Sequence, residues 1–244
     1  MTNDANARER LSPVHKWDAQ LIQIVDAAFA DSARRSVPHL ACRPGCTQCC
    51  HGAFAINTLD ALRLRTAMDE MVANEPARAE IIAGRAERYL AEFGPRFPGD
   101  RETGILGTTE EERVAFDGFA NEAACPALDP QSGLCELYSA RPMACRVFGP
   151  PVRMRPTVAD GEAADDLPSD TEGLAVCELC FTEATEVEIA DAEMMVPYAE
   201  EERILAMLDT AQNDSRTEGD FSRGEETIIA YCLTRPRSAR PKPA

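Results

Sequence analysis

Cysteine spacing is the feature that most constrains what this chain can fold into. The segment CRPGCTQCC, residues 42–50, places four cysteines in nine positions. Five more follow in two further groups, so that the clustered cysteines are Cys42, Cys46, Cys49, Cys50, Cys125, Cys135, Cys145, Cys177 and Cys180. Isolated buried cysteines are common in protein cores, but clusters of this kind are not explained by packing. The clustering therefore indicates bound metal, disulfides or thiol catalysis.

The expected compartment argues against disulfides. The opening residues MTNDANARERLSPVHKW are polar and charged, and no later run is apolar enough to span a bilayer. We therefore expect a cytoplasmic protein without a membrane partner. Cytosolic thiols are kept reduced, and a chain of 244 residues can bury a core without cross-links. Metal or redox chemistry is then the better interpretation of ten cysteines.

The net charge of the chain argues against a nucleic-acid partner. The net charge is −17, and residues 156–202 hold fifteen Asp and Glu but no Lys or Arg. Because like charges repel, we expect no nucleic-acid partner. Within this acidic stretch, residues 156–173 read as a solvated loop, and the basic, proline-rich residues 234–244 read as a disordered tail.

Hydrophobic periodicity predicts a mainly α fold. Apolar residues recur at three- and four-residue steps in 15–35, 58–72 and 76–93, and again in EERILAMLDT near the end of the chain. After the helix at 76–93, a short helix capped by Thr108 or Thr109 is expected. The segment ACPALDPQSGLCELY has two apolar segments around a turn signal and predicts one small β-hairpin. We expect a single compact helical domain over residues 1–233, organised around a cysteine-rich metal centre.

Local structure suggests how the cysteines are presented. Pro44 suits the first turn of a helix, which would place Cys46, Cys49 and Cys50 on one face near its positive N-terminal end, with Cys42 on the incoming loop. In the middle group, Cys125 and Cys135 would lie on the two hairpin strands and Cys145 on the following helix. Cys177 and Cys180 have the Cys-x2-Cys spacing by which a short turn presents two sulfurs to one ion.

Cysteine groups that bind the same metal ion must bring their sulfurs close together. If the middle cysteines are ligands, their sulfurs must converge with those of the first run. We expect at least seven of the nine clustered cysteines to form one or two clusters, with sulfurs within about 4 Å of one another even without metal. Arg141 and Arg146 bracket Cys145, where guanidinium groups can offset the negative charge of several thiolates. His51 follows Cys50 directly, but a hydrogen-bonded structural role suits it better than ligation. Cys232, among apolar neighbours, is expected to pack in the core.

The order of these motifs resembles a known family. CRPGCTQCC followed by CPALDPQSGLCELYSARPMACRVFG is similar to the bacterial cysteine-cluster proteins described as zinc- or iron-chelating, to which flagellin lysine N-methylases are related. The resemblance covers the first cysteine run, Cys125-Pro126, residues 135–138 and the segment from Arg141 to Arg146. It implies a multi-cysteine metal site. The family pattern has about eight cysteines, which would make one of Cys177 and Cys180 a spare.

Several functions remain open on the sequence alone. A metal-binding protein holding zinc or an iron–sulfur cluster is the first, because all-sulfur ligation selects these over hard cations. Adjacent Cys49 and Cys50 suit either two sites or a multinuclear one. An iron–sulfur oxidoreductase or protein methyltransferase is the alternative that the family implies. The sequence lacks the strand–helix repeats that a radical S-adenosylmethionine enzyme requires. It also lacks the thioredoxin-like context expected of a thiol-exchange protein that uses Cys177 and Cys180.

Overall fold

A computed structural model describes residues 2–37, 39–153, 174–213, 222 and 224–234. The α-helices in these ranges are α1 (Thr2–Arg35), α2 (Thr58–Asn74), α3 (Pro76–Phe93), α4 (Glu110–Asp117), α5 (Met143–Val147), α6 (Glu186–Asp191), α7 (Tyr198–Asn213) and α8 (Ile229–Leu233). The strands are β1 (Ala55–Ile56), β2 (Val152–Arg153), β3 (Leu174–Ala175) and β4 (Thr227–Ile228). The mainly α prediction is confirmed. The predicted acidic loop 156–173 and all but Thr234 of the predicted tail lie outside the described residues.

The chain divides into two compact units. Unit 1 comprises Met1–Leu11, Pro44–Ala144 and Leu205–Ala244, and unit 2 comprises Ser12–Arg43 and Cys145–Ile204. Each unit therefore draws on segments far apart in the sequence. The expectation of a single domain over residues 1–233 stays a prediction.

Unit 1 is built on three helices that contact one another, α2, α3 and α8. Their fully buried side chains include Leu64, Ile82 and Leu233. Strands β1 and β4 pair antiparallel beside them, with Ala55 opposite Ile228. This sheet was not predicted, because two-residue strands are too short to show the alternation by which strands are recognised.

Helix starts in unit 1 follow local capping rules. Helix α3 begins at Pro76, which occupies the first turn, and ends at Phe93, as the periodicity predicts. Thr109 caps α4 in a reciprocal capping box with Glu112. Helix α2 differs from expectation in one respect: the cap is Asn57, whose side chain accepts hydrogen bonds from Leu59 and Asp60, and Thr58 is the first helical residue.

Unit 2 combines the greater part of α1 with the β2–β3 pair. Leu21 and Val25 of α1 are fully buried. Val152 pairs antiparallel with Ala175, which closes the small sheet. A separate apolar cluster contains Cys177, Cys180, Phe181 and Ala192, with Leu40, Ala41 and Phe148 among the residues packed against it. The two cysteines of the Cys-x2-Cys pair thus lie inside the packed part of this unit.

Within the described ranges, none of the helices is long and apolar enough to cross a membrane.

Neighbouring isoleucines on α3 allow a matched test of the unit 1 core. Ile82 is fully buried, whereas Ile81 is 58% exposed. Ile82→Ala removes buried apolar volume, and we expect it to lower the free energy of unfolding by about 2–5 kcal/mol. Ile81→Ala should change it by less than about 0.5 kcal/mol. Denaturant unfolding of the two variants measures both values, and equal losses would contradict the assigned orientation of α3.

Candidate metal centre

The first cysteine run does not form the predicted helix. A single 3-10 turn covers Gln48–Cys50, closed by a 2.8 Å hydrogen bond from Cys50 N to Thr47 O. Gly45 has φ +87°, a left-handed conformation that an α-helix starting at Pro44 cannot contain. The prediction that Cys46 shares a helical face with Cys49 and Cys50 is therefore wrong. Cys46 lies on the loop that precedes the turn.

Cys125 lies directly beside this run. Its backbone N–H donates to Cys50 O at 2.7 Å, and Gly52 N donates to Ala123 O at 2.9 Å. Between these bonds, His51 and Ala124 form an antiparallel bridge. A short backbone pairing therefore holds the two cysteine-bearing segments together.

The predicted hairpin is reduced to one bridge and its turn. Leu128 pairs antiparallel with Cys135, and Asp129 N donates to Leu134 O at 2.9 Å. Gly133, at φ +69°, completes the turn, and a Cβ added there would lie 3.6 Å from Gly45 Cα. Contact with Gly45 places the turn against the loop that carries Cys46.

Arg85 of α3 fastens the segments that carry Cys125 and Cys135. Its Nε donates to Pro126 O at 2.8 Å, and its guanidinium also pairs with the Glu136 carboxylate. Arg78 Nε holds the other oxygen of Glu136 at 3.0 Å. Arg85 thus contacts the residue after each of the two cysteines. Spacing arguments missed Arg85 because it lies forty positions upstream of Cys125 on an ordinary amphipathic helix.

The adjacent thiols of Cys49 and Cys50 shift each other's pKa values in opposite directions. A hydrogen bond from Cys50 lowers the pKa of Cys49 to about 6, with smaller contributions from a backbone N–H and from the charge of Arg141. The same interaction, together with burial, raises the pKa of Cys50 above its ordinary value. The pair therefore loses one proton readily and retains the other. One thiolate at neutral pH is a ready starting point for metal ligation.

The other two thiols of this group are kept protonated. Burial raises the pKa of Cys125 to about 12, although nearby Arg85 opposes the shift. Burial also raises the pKa of Cys135, while the Arg141 charge lowers it. A cation bound beside these thiols would reverse this balance, because it would favour the thiolate far more strongly than a guanidinium does.

The three predicted accessory residues, Arg141, His51 and Arg146, have different surroundings. Arg141 contributes to the electrostatics of the Cys49 and Cys135 thiols, and its guanidinium stacks 3.9 Å from the centre of the Tyr138 ring. His51 Nδ1 donates to Thr47 O at 3.0 Å, so its described contact is structural, as expected. Arg146 is 2% exposed and pairs with Asp26 of α1 at 2.8 Å. A role for Arg146 beside the thiolates stays a prediction.

Unit 2 holds the remaining four clustered cysteines. Cys180 N donates to Cys177 O at 2.8 Å in a tight turn, and the Cys180 sulfur accepts a hydrogen bond from Ala41 N at 3.3 Å. The adjacent Cys42 is exposed, and its sulfur lies so close to Gly149 that a Cβ added there would be 2.8 Å away. Cys145, on α5, precedes Gly149 by four positions. The segment that carries Cys42 thus contacts both the Cys177–Cys180 turn and the residues after Cys145.

The arrangement stops short of an assembled ligand set. Across the part of the chain that the structure describes, no three or more Cys, His, Asp or Glu side chains are grouped so that they could hold a metal ion as placed. The prediction that at least seven of these sulfurs gather in one or two clusters without metal is therefore wrong for the described residues. Cys232 is 3% exposed on α8, beside buried Leu233, as core packing predicts.

The protein is thus mainly helical, and its clustered cysteines are free thiols that lie mostly on loops and turns, with Cys145 on α5. Residues 41–163, just over half of the chain, match the model of the CxxCxxCC family, described as "Putative zinc- or iron-chelating domain". The chain belongs to this family. The family's name has two residues between its first two cysteines, whereas three separate Cys42 from Cys46. No curated protein and no solved structure matches the chain. The link to flagellin lysine N-methylases stays a prediction.

The alkylation rate of the Cys49–Cys50 pair should depend on pH in a way that can be measured. In chelator-treated protein, alkylation of the Cys49–Cys50 pair should have a half-maximal rate near pH 6, because Cys49 ionises there. Cys50→Ala removes the hydrogen-bond donor, and the midpoint should rise toward the ordinary thiol pKa of about 8.5. Peptide mass spectrometry across pH measures both rates. A midpoint that is the same in the two proteins would contradict the assigned hydrogen bond.

Arg85 can be tested against a matched arginine on the same helix. Arg85→Ala leaves Pro126 O and one side of Glu136 without their partner, so we expect a loss of about 1–3 kcal/mol in unfolding free energy. Alkylation of Cys125 in the chelator-treated protein should also become faster, since its segment is less firmly held. The control is Arg88→Ala, which removes an exposed side chain and should cost less than about 0.5 kcal/mol. Unchanged Cys125 labelling in Arg85→Ala would exclude the fastening role.

Proposed function

We propose that this protein binds a thiophilic metal, zinc or iron in an iron–sulfur cluster, through the nine clustered cysteines. The observation that carries the proposal is the meeting of Cys50 with Cys125 through a backbone hydrogen bond, although the two residues are far apart in sequence. Membership of a family described as zinc- or iron-chelating supports it. The proposed ligands are Cys42, Cys46, Cys49, Cys50, Cys125, Cys135, Cys145, Cys177 and Cys180.

The donor set fits these metals and not hard cations. All the clustered residues offer sulfur, which favours zinc and iron–sulfur centres over magnesium or calcium. The basic side chains beside the thiols are Arg141 and Arg85, and both lower thiol pKa values in unit 1. Their charge offsets part of the negative charge that several thiolates leave around one metal. When bound, such a metal would tie together loops that are otherwise joined by a few backbone hydrogen bonds.

Metal content and an absorption spectrum test the proposal directly. Protein purified without oxygen should contain either zinc and no visible colour, or iron with sulfide and a broad absorption band in the visible. In both cases, removal of the metal should lower the melting temperature, because the ligands close long loops. Cys232→Ala is the matched control, since Cys232 is a buried cysteine outside the clusters. Protein that holds no metal when isolated and takes up neither zinc nor iron afterwards would overturn the proposal.

A further inference from the structure

Asp60 is a buried carboxylate that lies outside the cysteine motifs. It belongs to the first turn of α2 and is 3% exposed. An acidic residue is common in the first turn of a helix, because it interacts favourably with the positive end of the helix dipole, and that interaction is available at the surface. Burial of a carboxylate costs free energy unless charged or polar partners compensate for the lost water. The groups that contact Asp60 therefore indicate what its burial achieves.

Two donors meet at one oxygen of this side chain. Arg63 Nη1, one turn further along α2, donates to Asp60 Oδ1 at 2.5 Å, and the Arg63 side chain is 9% exposed. The backbone N–H of Met143 donates to the same oxygen at 2.9 Å in a buried hydrogen bond between residues 83 positions apart. Met143 is the first residue of α5, where a backbone N–H has no partner within its own helix. Asp60 thus supplies from α2 an acceptor that the first turn of α5 cannot provide.

Arg141 lies two positions before Met143, between this hydrogen bond and another contact with α2. The 3-10 turn Tyr138–Ala140 also contacts α2. The Arg141 guanidinium stacks 3.9 Å from the centre of the Tyr138 ring, so it lies over the same turn. The backbone of Arg141 is therefore held on both sides by residues that contact α2, and Asp60 provides the contact that follows it.

The position of Arg141 matters because of the thiols beside it. Its charge lowers the pKa of Cys49 and opposes the rise in the pKa of Cys135. An arginine side chain has several rotatable bonds, so a guanidinium stays close to a given thiol at lower entropic cost when the backbone beneath it is fixed. A buried ion pair adds little net stability compared with apolar residues of similar volume, but it can specify one arrangement of the segments that it joins.

We propose that Asp60 is a positioning residue for metal binding: by holding Met143 N it fixes the segment that carries Arg141, and so keeps the guanidinium beside the thiols of Cys49 and Cys135. This proposal rests on the proposed function, in which both thiols are ligands. It assigns to Asp60 an effect on metal affinity in addition to any effect on folding.

A double-mutant cycle on zinc affinity tests whether Asp60 acts through Arg141. Competition with a chromophoric chelator gives the zinc dissociation constants of the unmodified protein, Asp60→Ala, Arg141→Ala and the double variant. Each single substitution should weaken binding by about tenfold, as expected for groups that support metal ligands. The double variant should bind within about twofold of Arg141→Ala, because the side chain that Asp60 positions is already absent. Independent losses, which multiply to about 100-fold in the double variant, would overturn the proposal.

Two further variants separate positioning from general destabilisation. Asp60→Asn keeps Oδ1 as the acceptor for Met143 N, so it should bind zinc within about twofold of the unmodified protein. Leu64→Ala removes a side chain that is 1% exposed on the same helix and should leave the zinc dissociation constant unchanged. Binding weakened about tenfold in either variant would overturn the proposal, even if Asp60→Ala fails to fold. Unmodified protein that takes up neither zinc nor iron would overturn the proposed function as well.

Discussion

The hydrogen bond from Cys125 N to Cys50 O is the contact on which the thiol group of unit 1 depends. It starts a short backbone pairing that continues through the bridge of His51 with Ala124. Bringing such distant segments together costs loop-closure entropy that two or three hydrogen bonds do not offset. The core of α2, α3 and α8 and the arginine at position 85 must supply the remainder. The helices therefore serve as a scaffold for two loops that carry cysteines.

Electrostatics hold most of the thiols in unit 1 in the protonated form. Burial keeps the Cys125 and Cys135 thiols protonated, and the hydrogen bond with Cys49 keeps Cys50 protonated. Several thiolates so close together would repel one another, and the chain already has a net charge of −17. Arg141 and Arg85 offset part of that charge. If the proposed metal binds there, a divalent cation would offset the rest of that charge.

Local signals explain what could be predicted from the sequence. Pro76 at the start of α3 and the capping box at Thr109 act within one helical turn, and both were recognisable. Interactions between distant segments left no such signal. The pairing of β1 with β4 and the contact of Arg85 with Glu136 join short segments whose own sequences are ordinary. Local reasoning also failed at Cys46, where a left-handed glycine at position 45 overrides the helix that Pro44 suggests.

The cysteines themselves illustrate the same limit. Spacing in CRPGCTQCC identifies thiols suited to metal, because few other uses require four cysteines in nine positions. It does not show how many centres the thiols build, since that depends on which segments each thiol meets in the fold. Here Cys42 joins the segments near Gly149 and Cys180, whereas Cys50 joins that of Cys125. Three residues separate Cys42 from Cys46, and the boundary between the two compact units falls among them, between Arg43 and Pro44. The cysteines of one short motif therefore belong to two compact units, which the spacing of the motif does not show.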